Sequence, residues 1–258
     1  MHAHIVCAHP EPRSFNAHMS AIAKTALEQA GWTATISDLY AMDFDPCERG
    51  SHYAQRLKPD RFDVQLEQRE ASATGSVPAD VTAEIARLDK ADLLILQYPM
   101  WWHLPPAMLK GWFDRVLVYG DVYTSKKRFE NGRYAGRKAL ISVTVGTSEA
   151  TYHHNGRSGD IDLMLWPVNF TLAFVGYTIL KPFVAYGVEA GLRYSDNSIV
   201  DKRLAGITTN WQRTLSDLSS VPTVPFNLMA DWDSDGHIKP EAPVYSPFMR
   251  HKRDLDLS

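Results

Sequence analysis

The chain has 258 residues, with 27 Lys plus Arg against 30 Asp plus Glu, a net charge of −3 and 45% apolar residues. That length supports one large core or two small ones. The interspersed charges leave no basic stripe for nucleic acid and no acidic tail.

Ile5 to Ala8 read as a buried parallel strand that Pro10 and Pro12 stop. Ser14 or Asn16 then caps a helix whose apolar face is Met19, Ile22, Ala23, Ala26 and Leu27, ending at Gly31. Such a strand, turn and helix place free backbone N–H groups and a positive dipole end where an anion can bind. The turn lacks the glycines of G-x-G-x-x-G and the Gly-Lys-Ser/Thr of a P-loop, so phosphate would be held by hydroxyls and amides. An ordinary connection with no ligand is the alternative on local sequence alone.

Thr33 to Ser37 form a second strand, and residues 41 to 77 a long polar insertion with a short helix near Phe62 to Ala71. Val81 to Lys90 give a helix, Asp92 to Tyr98 a third strand, and Pro105 and Pro106 open a helix that runs through Val118. Lys138 to Val145, Asp160 to Phe174, Tyr177 to Ala185 and Asn197 to Leu218 complete the alternation as strand, helix, strand and helix. Leu163 to Leu180 is 18 residues without a formal charge, but Pro167, Asn169, Thr171, Gly176 and Thr178 make it a core helix turning into a strand. The pattern predicts an α/β, flavodoxin-like, doubly wound five-stranded parallel sheet of order 2-1-3-4-5 with helices on both faces. Residues 1 to 220 are expected to form this flavodoxin-like domain, and 221 to 258 an irregular, proline-rich C-terminal tail packed on that domain or on a dimer partner.

In that order three strand ends meet at the switch point. The first delivers His9 to Asn16; the third delivers Pro99, Met100, Trp101, Trp102 and His103; the fourth delivers Thr144, Gly146 and Thr147. Adjacent tryptophans in a loop are expected to be covered by a planar ligand or a partner, or else to belong to the core. An anion site, an aromatic platform and amide donors together match what a flavin nucleotide needs.

Several stretches carry a family resemblance: Ala8-His9, Ser14-Phe15-Asn16, Gly31-Trp32, Ser37-Asp38-Leu39-Tyr40-Ala41-Met42, Ala91-Asp92-Leu93, Leu109-Lys110-Gly111-Trp112-Phe113-Asp114-Arg115-Val116, Gly159-Asp160 and Leu165-Trp166-Pro167. In this order they resemble the NAD(P)H:quinone oxidoreductases of the DT-diaphorase type, from residue 3 to about 187. The resemblance implies non-covalent FAD, a homodimer with sites at its interface, and two-electron transfer from a nicotinamide to quinones. It assigns His9, Ser14, Phe15 and Asn16 to the pyrophosphate and ribityl chain. Arg13 replaces a usual threonine there and could add a charge. Pro99, Met100, Trp102 and His103 line the isoalloxazine, with Trp101 of the same loop as a further cofactor-binding candidate, and Thr144, Gly146 and Thr147 its polar edge.

Tyr152 matches the tyrosine at the pyrimidine end, where a donor lowers the barrier to hydride arrival. Ser158 stands where a histidine is usual, with His153 and His154 as nearby substitutes; His154 is taken as substrate-binding. Tyr123 matches a tyrosine that covers the nicotinamide or quinone from the other subunit. The implied reaction is a ping-pong reduction of quinones, and of azo or nitro compounds, by NAD(P)H. The alternatives are an FMN-dependent reductase and a regulatory flavoprotein subunit of a membrane transporter; the insertion and the tail favour FAD.

Other signals lead elsewhere. Cys7 and Cys47 form no C-x-x-C and no disulfide framework, and no signal peptide opens the chain, so a cytoplasmic protein without membrane insertion is expected. His2 and His4 have no third metal ligand, and Asp231 to Gly236 imitate an EF-hand loop without its closing glutamate, so no metal is expected.

Overall fold

Every residue of the strand Leu93–Pro99 is buried, as expected of a strand covered by helices on both faces. The computed structural model describes residues 1–189 and 196–255 and places this strand inside a seven-stranded sheet. In chain order the elements are β1 (His2–Cys7), α1 (Phe15–Gln29), β2 (Thr33–Asp38), α2 (Val64–Thr74), α3 (Ala79–Lys90), β3 (Leu93–Pro99), α4 (Ala107–Val116) and β4 (Lys138–Thr144). They continue as α5 (Ile161–Phe174), β5 (Thr178–Leu180), β6 (Phe183–Ala185), α6 (Asn197–Ser216), β7 (Thr223–Val224) and α7 (Lys252–Leu255). The sheet order is β2-β1-β3-β4-β5-β7, with β6 also paired to β4.

Alternate residues of the central strands feed two cores. Leu94 and Leu96 join α3, α4 and α5 through Ile85, Leu88, Trp112 and Leu165. Leu93 and Ile95 pack with Met19 and Leu27 of α1 and with Trp211 and Leu215 of α6. The period of two makes one strand serve both faces, and each such Leu or Ile contributes roughly 1.5–3 kcal/mol by leaving water. Trp211 Nε1 donates to the Met19 carbonyl at 3.1 Å, tying α6 to α1.

The expected fifth strand is two. Pro182 has no N–H to give a ladder, and the Lys181 N–H bonds the Pro222 carbonyl at 2.7 Å instead. β5 therefore pairs β4 at Lys138 and Ala139, and β6 pairs it at Ser142 to Thr144. Thr223 and Val224, expected to be irregular, run antiparallel to β5. Beyond them the Glu130 carboxylate accepts the Met229 N–H, and the Phe226 ring lies 4.7 Å from Trp166. Of the tail expected over 221 to 258, residues 256 to 258 lie outside the described residues. Among the described residues, no helix is long and apolar enough to cross a membrane.

His4 is buried in a polar node rather than offered to a metal. Glu84 accepts from Ser37 at 2.8 Å and from Trp112 Nε1 at 2.9 Å, pairs with Arg87, and lies 3.9 Å from His4 Nε2. Burial raises the Glu84 carboxyl, but the bonds from His4, Trp112 and Ser37 outweigh it and hold the group below its ordinary value. Asp233 accepts the Asp235 and His237 N–H groups, each at 2.9 Å, closing a polar turn.

The insertion is clamped to α4. Arg115 donates to the Asp45 carbonyl at 2.8 Å and grips Asp80 with two bonds, while Gly111 lets Pro46 approach so closely that a Cβ would lie 2.0 Å from its carbonyl oxygen. Gly111→Ala is expected to cost about 1–3 kcal/mol through overpacking, and a thermal melt should show a fall of several degrees.

Candidate active site

The three strand ends meet through two backbone bonds, Ala8 N–H to the Gln97 carbonyl at 3.0 Å and Met100 N–H to the Thr144 carbonyl at 2.9 Å. Above them opens a cleft of about 510 Å³, lined from β1–α1 by His9, Ser14, Phe15 and Asn16, from β3 by Pro99, Met100 and Trp101, and from β4 by Thr144 and Gly146. Val188 and Glu189, which no sequence motif marked, close it from beyond β6.

Ser14 is the helix cap. Its Oγ accepts the Ala17 N–H at 3.1 Å, and its carbonyl accepts that of His18, leaving the first-turn N–H groups of Phe15 and Asn16 unused by the helix. The Glu11 N–H donates to His9 Nδ1 at 3.0 Å, so the neutral ring carries its proton on Nε2, a donor. Burial lowers the His9 pKa below its ordinary 6.5, against the raising effect of Glu11 and Asp38. Arg13 is brought elsewhere: it is exposed, pairs with Glu11 at 3.0 Å and does not line the cleft.

The loop after β3 is a tight hairpin. Trp101 and Leu104 exchange two backbone bonds of 3.0 Å, and the two residues between them, Trp102 and His103, have φ of +53° and +64°. Two left-handed centres are the mark of a type I′ turn, usually Asn-Gly; in a tryptophan and a histidine they store strain of about 1–3 kcal/mol each. Trp102 is 89% exposed, and the Trp101 ring lies 5.9 Å from His9. Both tryptophans are thus outside the core; Trp101 lines the cleft, whereas Trp102 and His103 do not.

A second cavity of about 740 Å³ shares Gly146 and Glu189 with the first, and Thr147, Thr151, Tyr186 and Arg203 also line it. The nearest atom to a Cβ on Gly146 would be the Val188 carbonyl at 3.9 Å, so the backbone there is open to a close ligand. Arg203 donates to Glu189 at 3.1 Å and to the Gly187 carbonyl at 3.0 Å, offsetting the glutamate's charge. Tyr152 ends a short 3-10 turn, Glu149–Tyr152, with its ring 5.9 Å from Tyr186. Burial and the nearby Glu149 and Asp162 push the Tyr186 hydroxyl up to about 12. Ser158 closes the same loop by an N–H bond to the Thr151 carbonyl, and His153 and His154 are exposed.

A model of the flavodoxin-like fold matches residues 1–207. The NAD(P)H dehydrogenase [quinone] 1 of Cavia porcellus is 39% identical over 186 residues, 71% of this chain and 68% of that protein. The ribosyldihydronicotinamide dehydrogenase [quinone] of Pongo abelii is 36% identical over 210 residues, 81% of this chain and 91% of that protein. Among solved structures, one from Klebsiella pneumoniae assigned as a quinone reductase superposes with a TM-score of 0.84 at 30% identity, covering 93% of this chain and 95% of its own. The chain belongs to the flavodoxin-like NAD(P)H:quinone oxidoreductase family.

Within this quinone oxidoreductase fold Tyr123 stands apart. It lines a separate groove of about 630 Å³, stacked edge-on against Tyr119 and Phe174, with Gln65 Nε2 3.4 Å from its hydroxyl. One chain therefore does not bring Tyr123 to its own cleft.

Two outcomes test this geometry. Replacing Trp102 by Asn and His103 by Gly together should relieve roughly 1–2 kcal/mol of left-handed strain and raise the melting temperature, while removing the aromatic cover should weaken flavin binding. The His9 imidazole, followed by NMR, should titrate below 6.5. Because the unfolded chain then binds that proton first, His9 should cost stability as the pH falls from 6.5 towards the folded value, and the loss should level off beneath it; His9→Gln should remove this dependence.

Proposed function

We propose that this chain catalyses two-electron reduction of quinones by NAD(P)H with a tightly bound FAD, working as a homodimer in the cytoplasm. The carrying observation is the convergence, at two cavities that share Gly146 and Glu189, of unused helix N–H groups, Trp101 from the turn after β3, and an open glycine between Thr144 and Thr147.

These residues fit a flavin. The N–H groups of Phe15 and Asn16 and the Nε2–H of His9 favour phosphate oxygens, Trp101 and Trp102 give a planar apolar surface, and Thr144, Gly146 and Thr147 serve a polar ring edge. The second cavity, reached past Gly146 and Glu189, is the support for FAD over FMN, since an adenosine half needs added room. A bound flavin would supply the capacity to accept a hydride from NAD(P)H and to pass two electrons to the acceptor.

The protein's part is to bind, orient and hold a proton. Tyr152 Oη donates where negative charge gathers, and the Tyr186 ring, its hydroxyl kept protonated, lies 5.9 Å from the Tyr152 ring. NAD(P)H and acceptor occupy the same place in turn, over Trp102. Tyr123, Gln65 and Phe174 form a groove remote from the chain's own cleft, which supports Tyr123 covering the site of a second copy. Cys7 and Cys47 are both free thiols, in keeping with a reducing compartment.

Freshly purified protein should release FAD on heating and consume NADH or NADPH with menadione; protein without flavin overturns the proposal, and flavin without turnover favours a regulatory role. Tyr152→Phe should slow the reduction of the bound flavin by NAD(P)H on the order of 100-fold, the usual effect of removing one such donor, and its reoxidation by quinone much less. Stopped-flow absorbance separates the two half-reactions.

A further inference from the structure

Beneath the cleft lies a side-chain network that links all three strand ends. Gln97 Nε2 donates to Asn16 Oδ1 at 2.9 Å, and Asn16 Nδ2 donates to Thr144 Oγ1 at 3.0 Å. Asn16 and Thr144 line the cleft, whereas Gln97 is 0% exposed and does not. We propose that Gln97 is a positioning residue that sets which end of the Asn16 amide is presented to the bound flavin, an inference that rests on the flavin reading of this cleft.

An amide side chain has two orientations of nearly equal shape, one offering donors and one an acceptor. With Gln97 donating, Asn16 Oδ1 is held inward, where the Thr144 hydroxyl also donates to it at 3.3 Å, and the second Nδ2 hydrogen is left for a ligand oxygen. Were both amides reversed, Gln97 Oε1 would accept from Asn16, and Asn16 would turn its oxygen towards Thr144. That state leaves the buried Gln97 NH₂ without an acceptor. The observed state leaves only Gln97 Oε1 unpaired, and a buried unpaired carbonyl is tolerated better than a buried unpaired N–H. The preference is thus set from β3. Phosphate, hydroxyl and flavin carbonyl oxygens all call for the donor-outward state.

The role is tested by titrating flavin-free full-length protein with FAD and following flavin fluorescence, in wild type, Gln97→Glu, Gln97→Met, Asn16→Ala and the two double variants. Gln97→Glu has nearly the native volume, and at a pH high enough to ionise the buried group its carboxylate only accepts, so there it should reverse the network and weaken FAD binding about tenfold or more. Gln97→Met, which removes the preference without reversing it, should weaken binding less. In the Asn16→Ala background neither change should weaken binding further by more than about twofold, because Gln97 acts through Asn16. Additive losses in the double variants, or wild-type affinity in Gln97→Glu, would overturn the positioning role and leave the flavin site standing. Wild-type protein that binds no FAD would overturn the site itself, and this role with it. Should Gln97→Met melt below the assay temperature, the near-isosteric Gln97→Glu cycle decides the question alone.

Discussion

Burial of the central strand on both faces is the constraint from which the rest follows. β3 has no face to give to water, so its neighbours must run parallel to it and return through helices, and every connection at one end of the sheet then opens on the same edge. The registers Ile5 with Ile95 and Leu96 with Ile141 align β1, β3 and β4. β3 and β4 end level at Pro99 and Thr144, and β1 ends two residues sooner, at Cys7 opposite Gln97. A cleft bounded by three loops is the geometric consequence, and α1, starting from the first of them, turns its N-terminus to that edge.

Several departures from ordinary local preference lie at this edge. Two left-handed non-glycine residues, an exposed tryptophan and an amide network with an unpaired oxygen all lie within a few residues of the strand ends. Each carries a cost that the folded chain bears because the cores on either side are well packed. The polar node around Glu84 is a contrast: it is deeply buried, its partners are complete enough to keep the carboxyl charged, and it joins β1, β2, α3 and α4. Its work is to hold helices to the sheet.

The insertion and the tail extend the same framework. Arg115, nearly buried, reaches both Asp45 and Asp80, so one guanidinium fixes the insertion to α4 and to the start of α3. At the opposite edge, β7 hydrogen-bonds to β5, giving that edge strand a partner along its short length.

Much of this was legible in the sequence. The alternation of apolar runs with amphipathic segments is a local property, and it determined the strands, the helices and the order 2-1-3-4-5 of the main sheet. Local chemistry also marked Ser14 as a cap candidate and the Trp101-Trp102 loop as something more than filler, while the motifs from Ala8 to Pro167 carried the family. Tertiary structure alone decided what depends on neighbours distant in the chain. Strand pairing at Pro182 and Thr223 hangs on edges with too few residues to show a period. Arg13 turns to Glu11, Tyr123 falls in its own groove, and Val188, Glu189 and Arg203 join the site because of where a crossover ends. Gln97 reads in sequence as one polar residue in an apolar strand; only the approach of α1 and β4 to that strand makes it the partner of Asn16.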